Sequence, residues 1–137
     1  MPVENTLLKK IFIFFSCFPI MEDTNEDLEL GQHFLIDKKV IEKKISESNL
    51  SKEDRVIEVG AGKGALTEGL AAKNGEVLAF EIDEKLRPFL DAIGKDHKNL
   101  KIVYGDALKF SWEGHNKIVS NSPYSLAEPI IKKAVEA

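Results

Sequence analysis

Cysteine is almost missing from this chain. Its 137 residues include one, Cys17, which excludes an internal disulfide framework and a cysteine zinc site. Long apolar runs are missing too: none reaches the roughly 18 residues that a membrane-spanning helix needs. No internal repeat or low-complexity tract is visible. Nor is there an excess of positive charge. The formal net charge is −4, from 19 basic and 23 acidic residues. Taken alone, that argues against a nucleic-acid partner, because such domains are usually basic. The deficit is local, however. Residues 1–30 set Lys9 and Lys10 against Glu4, Glu22, Asp23, Glu26, Asp27 and Glu29, whereas residues 31–137 hold 17 charges of each sign. The whole deficit lies in the first 30 residues, and the argument against nucleic acid lapses for the rest.

The composition that remains is globular, 43% apolar and 31% charged, and the length suits one domain. The stretch Ile11–Ile20 (IFIFFSCFPI) follows two lysines and has a faint likeness to a signal peptide. No small-residue cleavage site follows it; Met21-Glu22-Asp23 does, so a secretion signal is disfavoured. Residues 1–29 are read as a tail, with Met21 as the preferred start.

From residue 37 onward, helix and strand patterns alternate. Asp37 can cap a helix with Val40, Ile41 and Ile45 on its apolar side. Arg55–Val59 is a short β-branched run ending in glycines, as buried strands are. Ala65–Lys73 has Leu66, Leu70 and Ala71 at helical spacing, with Asn74-Gly75 as a stop. Glu76–Glu81 reads as a second strand. Asp83 then caps a helix expected to bury Leu86, Phe89, Leu90 and Ile93. Lys101–Tyr104 and Lys117–Ser120 are the third and fourth strands. The segment after Pro123 is a final helix, with Pro129 expected early in it. Strands joined by helical crossovers predict an α/β, mostly parallel sheet of the doubly wound class, whose ligands bind beyond the carboxyl ends of the strands. Four strands with the last unpaired leave an exposed sheet edge. The chain is therefore expected to be a fragment, incomplete at its C-terminus.

Four motifs fall at that ligand-binding edge. Glu58-Val59-Gly60-Ala61-Gly62-Lys63-Gly64 links a strand to a helix. Its glycines let the backbone turn tightly and approach a ligand. Gly60, Gly62 and Ala65 satisfy a dinucleotide pattern loosely. Glu58 with Gly60, Gly62 and Gly64 satisfies in full the pattern of S-adenosylmethionine (SAM) enzymes, where the acid faces a cationic amino acid. Glu81, ending the second strand, can accept two ribose hydroxyls and suits either cofactor. Gly105-Asp106-Ala107-Leu108 follows the third strand, and Asp106 can accept from an adenine amine. Asn121-Ser122-Pro123-Tyr124 follows the fourth and suits methylation of an exocyclic amine on a planar base. The Asn121 side-chain oxygen and a backbone carbonyl near Ser122–Pro123 can accept the two amine hydrogens, holding the nitrogen in line with a methyl donor. Tyr124 can stack on the base. That chemistry needs neither a metal nor a shifted general base. Each motif also has a plainer structural reading: a close-packing turn, a strand-end acid, a Gly-Asp turn and a proline turn.

Together the motifs resemble the ribosomal RNA adenine dimethyltransferases. The resemblance rests on Gly31–Asp37 (GQHFLID), Val56–Ala71 (VIEVGAGKGALTEGLA), Phe80–Asp83 (FEID), Gly105–Leu108 (GDAL) and Asn121–Tyr124 (NSPY), in family order over residues 30–137. The GQHFLID wording is nearest the archaeal and eukaryotic branch. The resemblance implies a Rossmann-like SAM-dependent methyltransferase domain over residues 30–137. It implies dimethylation of N6 on adjacent adenosines of small-subunit rRNA, in the cytoplasm, by a protein that is monomeric when complete. It also implies that His33 and Leu35 contact SAM, that Gly60 and Gly62 line its methionine end, that Glu81 binds ribose and Asp106 the adenine amine. Asn121, Pro123 and Tyr124 then form the catalytic motif, with Asn121 beside both donor and target. Ser122 stands where the family usually has leucine, and the family continues more than a hundred residues further. Three alternatives remain: a large-subunit methyltransferase of the erythromycin-resistance type, a non-catalytic SAM-binding or ribosome-assembly module, and a dinucleotide oxidoreductase.

Overall fold

The computed structural model describes residues 10–15, 38–73, 75–122 and 124–136, with the backbone alone described at 10–15, 121–122 and 124–126. The readings that fall on Asp37, Asn74, Pro123 and the Gly31–Asp37 motif lie outside the described residues. Five strands run in parallel: β1 (Lys10–Phe15), β2 (Arg55–Val59), β3 (Glu76–Glu81), β4 (Leu100–Tyr104) and β5 (Lys117–Ser122). Their order across the sheet is β1-β5-β2-β3-β4. Residues 38–47 form helix α1. It is followed by α2 (Ala65–Lys73), α3 (Arg87–Asp96) and α4 (Tyr124–Glu136).

The central strands are β-branched because both of their faces are covered. On one face Ile45 of α1 and Leu66 and Leu70 of α2 pack over Val56, Val77 and Val119. Leu90 of α3 packs there against Ala79 and Ala61. On the other face Ile130 and Ala134 of α4 join Ile57, Val59, Phe80, Ile118 and the buried Trp112. The Trp112 indole N–H donates to the Ala107 carbonyl at 3.0 Å, so its one polar atom is satisfied inside the core. Burial of each Val, Leu, Ile or Phe side chain among these contributes roughly 1.5–3 kcal/mol.

The doubly wound expectation holds, with five differences in detail. The sheet has one strand more than the four expected. Lys10–Phe15, inside the 1–29 segment read as a tail, pairs with β5 in the register Phe12↔Val119 and covers the edge expected to be open. The crossover from β4 to β5 carries no α-helix, only a 3₁₀ turn at Ala107–Lys109, with Trp112 filling the space a helix would occupy. Asp83 caps a 3₁₀ turn (Glu84–Leu86), accepting from the Lys85 N–H at 2.9 Å, and α3 begins only at Arg87. Of the four apolar positions expected to be buried there, Leu90 alone is; Phe89 stays 47% exposed beneath the Lys63 ammonium, 5.0 Å from its ring centre. Finally, Pro129 sits inside α4 rather than in its first turn. The carbonyl four residues earlier therefore receives no helical N–H.

Candidate active site at the carboxyl edge of the sheet

A parallel sheet gathers all its strand-to-helix turns at one edge. Here the turns after β2 and β4 bring Gly60–Gly64 and Gly105–Asp106 to that edge, joined by Glu81–Asp83 at and just past the end of β3 and by the backbone of Asn121–Ser122, the last two residues of β5, which runs two residues beyond the Ser120 expected from the sequence. The glycine turn is tied to β3. Gly60 and Ala61 both donate to the Phe80 carbonyl, at 2.9 and 3.0 Å. Two glycines carry distinct requirements. Gly64 has φ +97°, and a Cβ there would lie 2.2 Å from Ile93 Cδ1 and 3.1 Å from Leu90 Cδ2, so this position packs the turn onto α3. Gly62 has φ +62°, and among the described residues nothing lies within 4 Å of its missing Cβ. Its turn is open on the side where a ligand would approach.

Glu81 links these pieces. It is 8% exposed, and its carboxylate accepts from the Gly62 N–H at 2.7 Å and the Asp83 N–H at 2.9 Å. A carboxylate offers about four lone-pair positions, so two remain for a ligand. The Glu81 backbone carbonyl meanwhile accepts from the Gly105 N–H at 2.9 Å, joining the turn after β4. Asp106 caps its own 3₁₀ turn, with Oδ1 accepting from the Leu108 N–H at 3.0 Å. Among the described residues its second oxygen accepts no hydrogen bond.

Glu58 departs from the sequence reading. Expected to face a ligand, it is 1% exposed and points into the core, where Thr67 Oγ1 donates to it at 2.5 Å. Burial pushes its carboxyl up, the Thr67 bond opposes this and the neighbouring Glu81 charge adds to it, for a net rise to about 8. It is therefore protonated at neutral pH. Strand parity explains the orientation: Val56 and Glu58 share the face that α2 covers, so the acid points at α2 and not beyond the strand end.

Of the residues singled out in the sequence, the fold brings Gly60, Gly62, Glu81, Asp106 and the Asn121 backbone to one edge. The Tyr124 backbone opens α4 just beyond β5. His33, Leu35 and Pro123 lie outside the described residues. One residue escaped sequence reasoning. Ile82, between Glu81 and Asp83, is 70% exposed and presents an apolar surface beside the acid. The signal was an apolar residue placed one step past a strand end. Among the described residues, no three His, Cys, Asp or Glu side chains cluster as a metal site would require.

The model of the family described as ribosomal RNA adenine dimethylase matches residues 24–137. The chain is similar to the probable ribosomal RNA small subunit methyltransferase A of Methanococcus maripaludis, at 44% identity over 110 residues, covering 79% of this chain and 42% of that protein. Among solved structures, a dimethyladenosine transferase from Plasmodium falciparum superposes with a TM-score of 0.65 and 26% identity, over 72% of this chain and 37% of that one. The 23S rRNA methyltransferase ErmE superposes with a TM-score of 0.65 and 28% identity, over 71% of this chain and 40% of that one. The chain thus spans less than half the length of these relatives.

Proposed function

This chain belongs to the ribosomal RNA adenine dimethylase family. On that premise we propose that it is the cofactor-binding part of a SAM-dependent enzyme that dimethylates N6 of adjacent adenosines in small-subunit rRNA. The observation that carries the reading is the Glu81 carboxylate. It is fixed by two backbone donors, one of them Gly62, beside a turn that is open above that glycine. Such a group presents its remaining lone pairs to a pair of ribose hydroxyls.

Bound SAM supplies an electrophilic methyl group. The residues of the chain hold and orient. Glu81 accepts from the ribose, and Ile82 gives the adenine an apolar wall. Asp106 accepts from the adenine amine through its second oxygen, and Gly60 and Gly62 allow the methionine end to lie close to the backbone. His33 and Leu35 cover the cofactor. Asn121 and a carbonyl at Ser122–Pro123 accept the two hydrogens of the target amine, and Tyr124 stacks on the base. Those hydrogen bonds hold the nitrogen lone pair toward the methyl donor, which a delocalised aromatic amine does not do unaided. Residues 30–137 form the SAM-binding domain in this reading, with residues 1–29 preceding it. The protein works in the cytoplasm, as a monomer when complete, on the small subunit or its precursor. Among the described residues no helix is long and apolar enough to cross a membrane.

The test is calorimetry of the 137-residue chain with SAM and with NAD, followed by labelled-methyl transfer to under-methylated small and large ribosomal subunits. Binding of SAM and transfer to small subunits is the expected result. Transfer confined to large subunits would identify the erythromycin-resistance type instead; the chain is as similar in fold to the 23S rRNA methyltransferase ErmE as to the dimethyladenosine transferase. SAM binding without transfer to either would leave a non-catalytic module. Tight NAD binding without SAM binding would overturn the assignment.

A further inference from the structure

The opposite, amino edge of the sheet holds a second concavity. Its volume is about 360 Å³, and Leu78 is the apolar side chain on its floor, since Val77 and Leu100 pack toward the side that α1 and α2 cover. The β4–β5 crossover, which carries no α-helix, sends His115 to its rim. Leu78 and Lys101 stand side by side there in register. Around the floor stand Arg55, Lys98, Lys101 and His115.

The charges on this rim do not cancel. Glu76 is the one carboxylate among the lining residues, and it is bound to Arg55 Nε at 3.0 Å. The two terminal nitrogens of that guanidinium have no partner among the described residues. Lys98 and Lys101 are exposed and form no ion pair there either. His115 adds a half-buried imidazole. Its pKa is lowered by burial and by Arg55, with the Glu113 and Trp112 carbonyls and the Glu76 charge opposing. Its Nδ1 lies 3.3 Å from the Glu113 carbonyl. A carbonyl can only accept, so Nδ1 holds the hydrogen, and Nε2 of the neutral ring is left bare.

We propose that this pocket binds a phosphate of the RNA backbone, through Arg55, Lys98 and Lys101, with His115 protonating as the anion enters. The choice of RNA as the source of the phosphate rests on the methyltransferase reading above. The surplus of cations over carboxylates, the unused guanidinium fork and the titratable ring are the donors such an oxyanion takes. The pocket lies about 17 Å from the methyl-transfer edge, the length of a five- or six-residue strand. A polynucleotide reaches both; a mononucleotide does not.

Two measurements on the 137-residue chain test this. In the first, anisotropy follows a labelled fragment of small-subunit rRNA over a range of salt, for the chain and for a Lys98→Ala/Lys101→Ala variant. The variant is expected to bind about tenfold more weakly and to lose about 1.5 from the log–log salt slope, two phosphate contacts' worth. Its SAM affinity should stay unchanged, and Lys132→Ala, on the far helix, serves as the matched control. In the second, NMR of the His115 ring follows titration with that RNA and, separately, with inorganic phosphate. An upward His115 pKa shift with RNA, absent in the double variant, supports the pocket. An unchanged slope and an unmoved ring overturn it, and a shift with inorganic phosphate alone overturns RNA as its source. A chain that shows the RNA effects but neither binds SAM nor transfers methyl sinks the methyltransferase reading and leaves the pocket standing.

Discussion

Gly62 and Glu81 lie nineteen positions apart, yet the glycine N–H and the glutamate Oε1 meet at 2.7 Å. The bond makes one unit of the turn after β2 and the end of β3. A residue proposed to bind cofactor therefore also shapes the turn that would cradle it. Removing the carboxylate should do two things at once. Glu81→Ala is expected to weaken SAM binding by about 10–100-fold, the size of a lost charge-assisted hydrogen bond. The amide cross-peaks of Gly62 and Asp83 should move even without ligand. Calorimetry paired with an apo NMR spectrum checks both, and a variant with unchanged affinity contradicts the assigned role.

Asn121 carries the proposed chemistry rather than the binding. Asn121→Ala should keep most of its SAM affinity and lose at least about 100-fold in methyl transfer, on the scale of one removed oxyanion-type partner. Transfer at the parent rate would remove Asn121 from the mechanism.

Glu58 gives the fold a pH signature. Its carboxyl is raised from 4.5 in the unfolded chain to about 8 in the folded one. The folded state thus keeps a proton that the unfolded state gives up. The contribution is whole below pH 4.5, declines through the interval, and is gone above about 8. Denaturant melts at several pH values should show stability falling with rising pH in this window. In Glu58→Gln that component of the slope should vanish. A parent chain as steep as the variant would contradict the burial argument.

Gly64→Ala should cost about 1–3 kcal/mol, since the new Cβ meets Ile93 and the backbone stays at positive φ. The double change Gly64→Ala/Ile93→Val removes the clashing Cδ1 and should recover part of the loss, with the rest being conformational strain. Thermal melts of the parent and the two variants separate the two contributions. Full recovery would show that strain is negligible there.

At the amino edge Lys117 is buried with Asp54, Nζ to Oδ2 2.8 Å. Burial raises the Asp54 carboxyl, but hydrogen bonds from Lys117, Asn116 and Ser51 outweigh it and leave it below its usual 3.8. Lys117→Met should destabilise the chain by about 3–5 kcal/mol, because it strands a buried carboxylate. Lys117→Met/Asp54→Asn should recover much of that in the same denaturant titration. A single variant as stable as the parent would mean that the pair contributes nothing net.

The strands β2 to β5 were legible because each is a short apolar or β-branched run stopped by glycine or a polar turn. The edge that gathers the motifs was legible because parallel crossovers leave it no choice. Glu58 was misread because a motif names a residue type, whereas strand parity decides which way it points. Phe89 was misread because helical spacing marks it as core; a lysine from the glycine turn covers it instead, and only the three-dimensional fold brings that lysine over it. The missing crossover helix was hidden too. Gly105–Asn116 has no periodic pattern, and nothing local says that Trp112 would fill the gap. Lys10–Phe15 was set aside on composition, as its partner strand lies a hundred residues away.

That separation has a kinetic meaning. Phe12 faces Val119 across a ladder, 107 positions later, whereas β2, β3 and β4 find neighbours about twenty positions along. Among the described strands, the earliest in the chain is thus the last to be paired. At 5–20 residues per second it waits roughly 5–20 s with its aromatic side chains in search of cover. The interval before β5 emerges is the moment at which this chain is most open to a chaperone, and most exposed to its own copies.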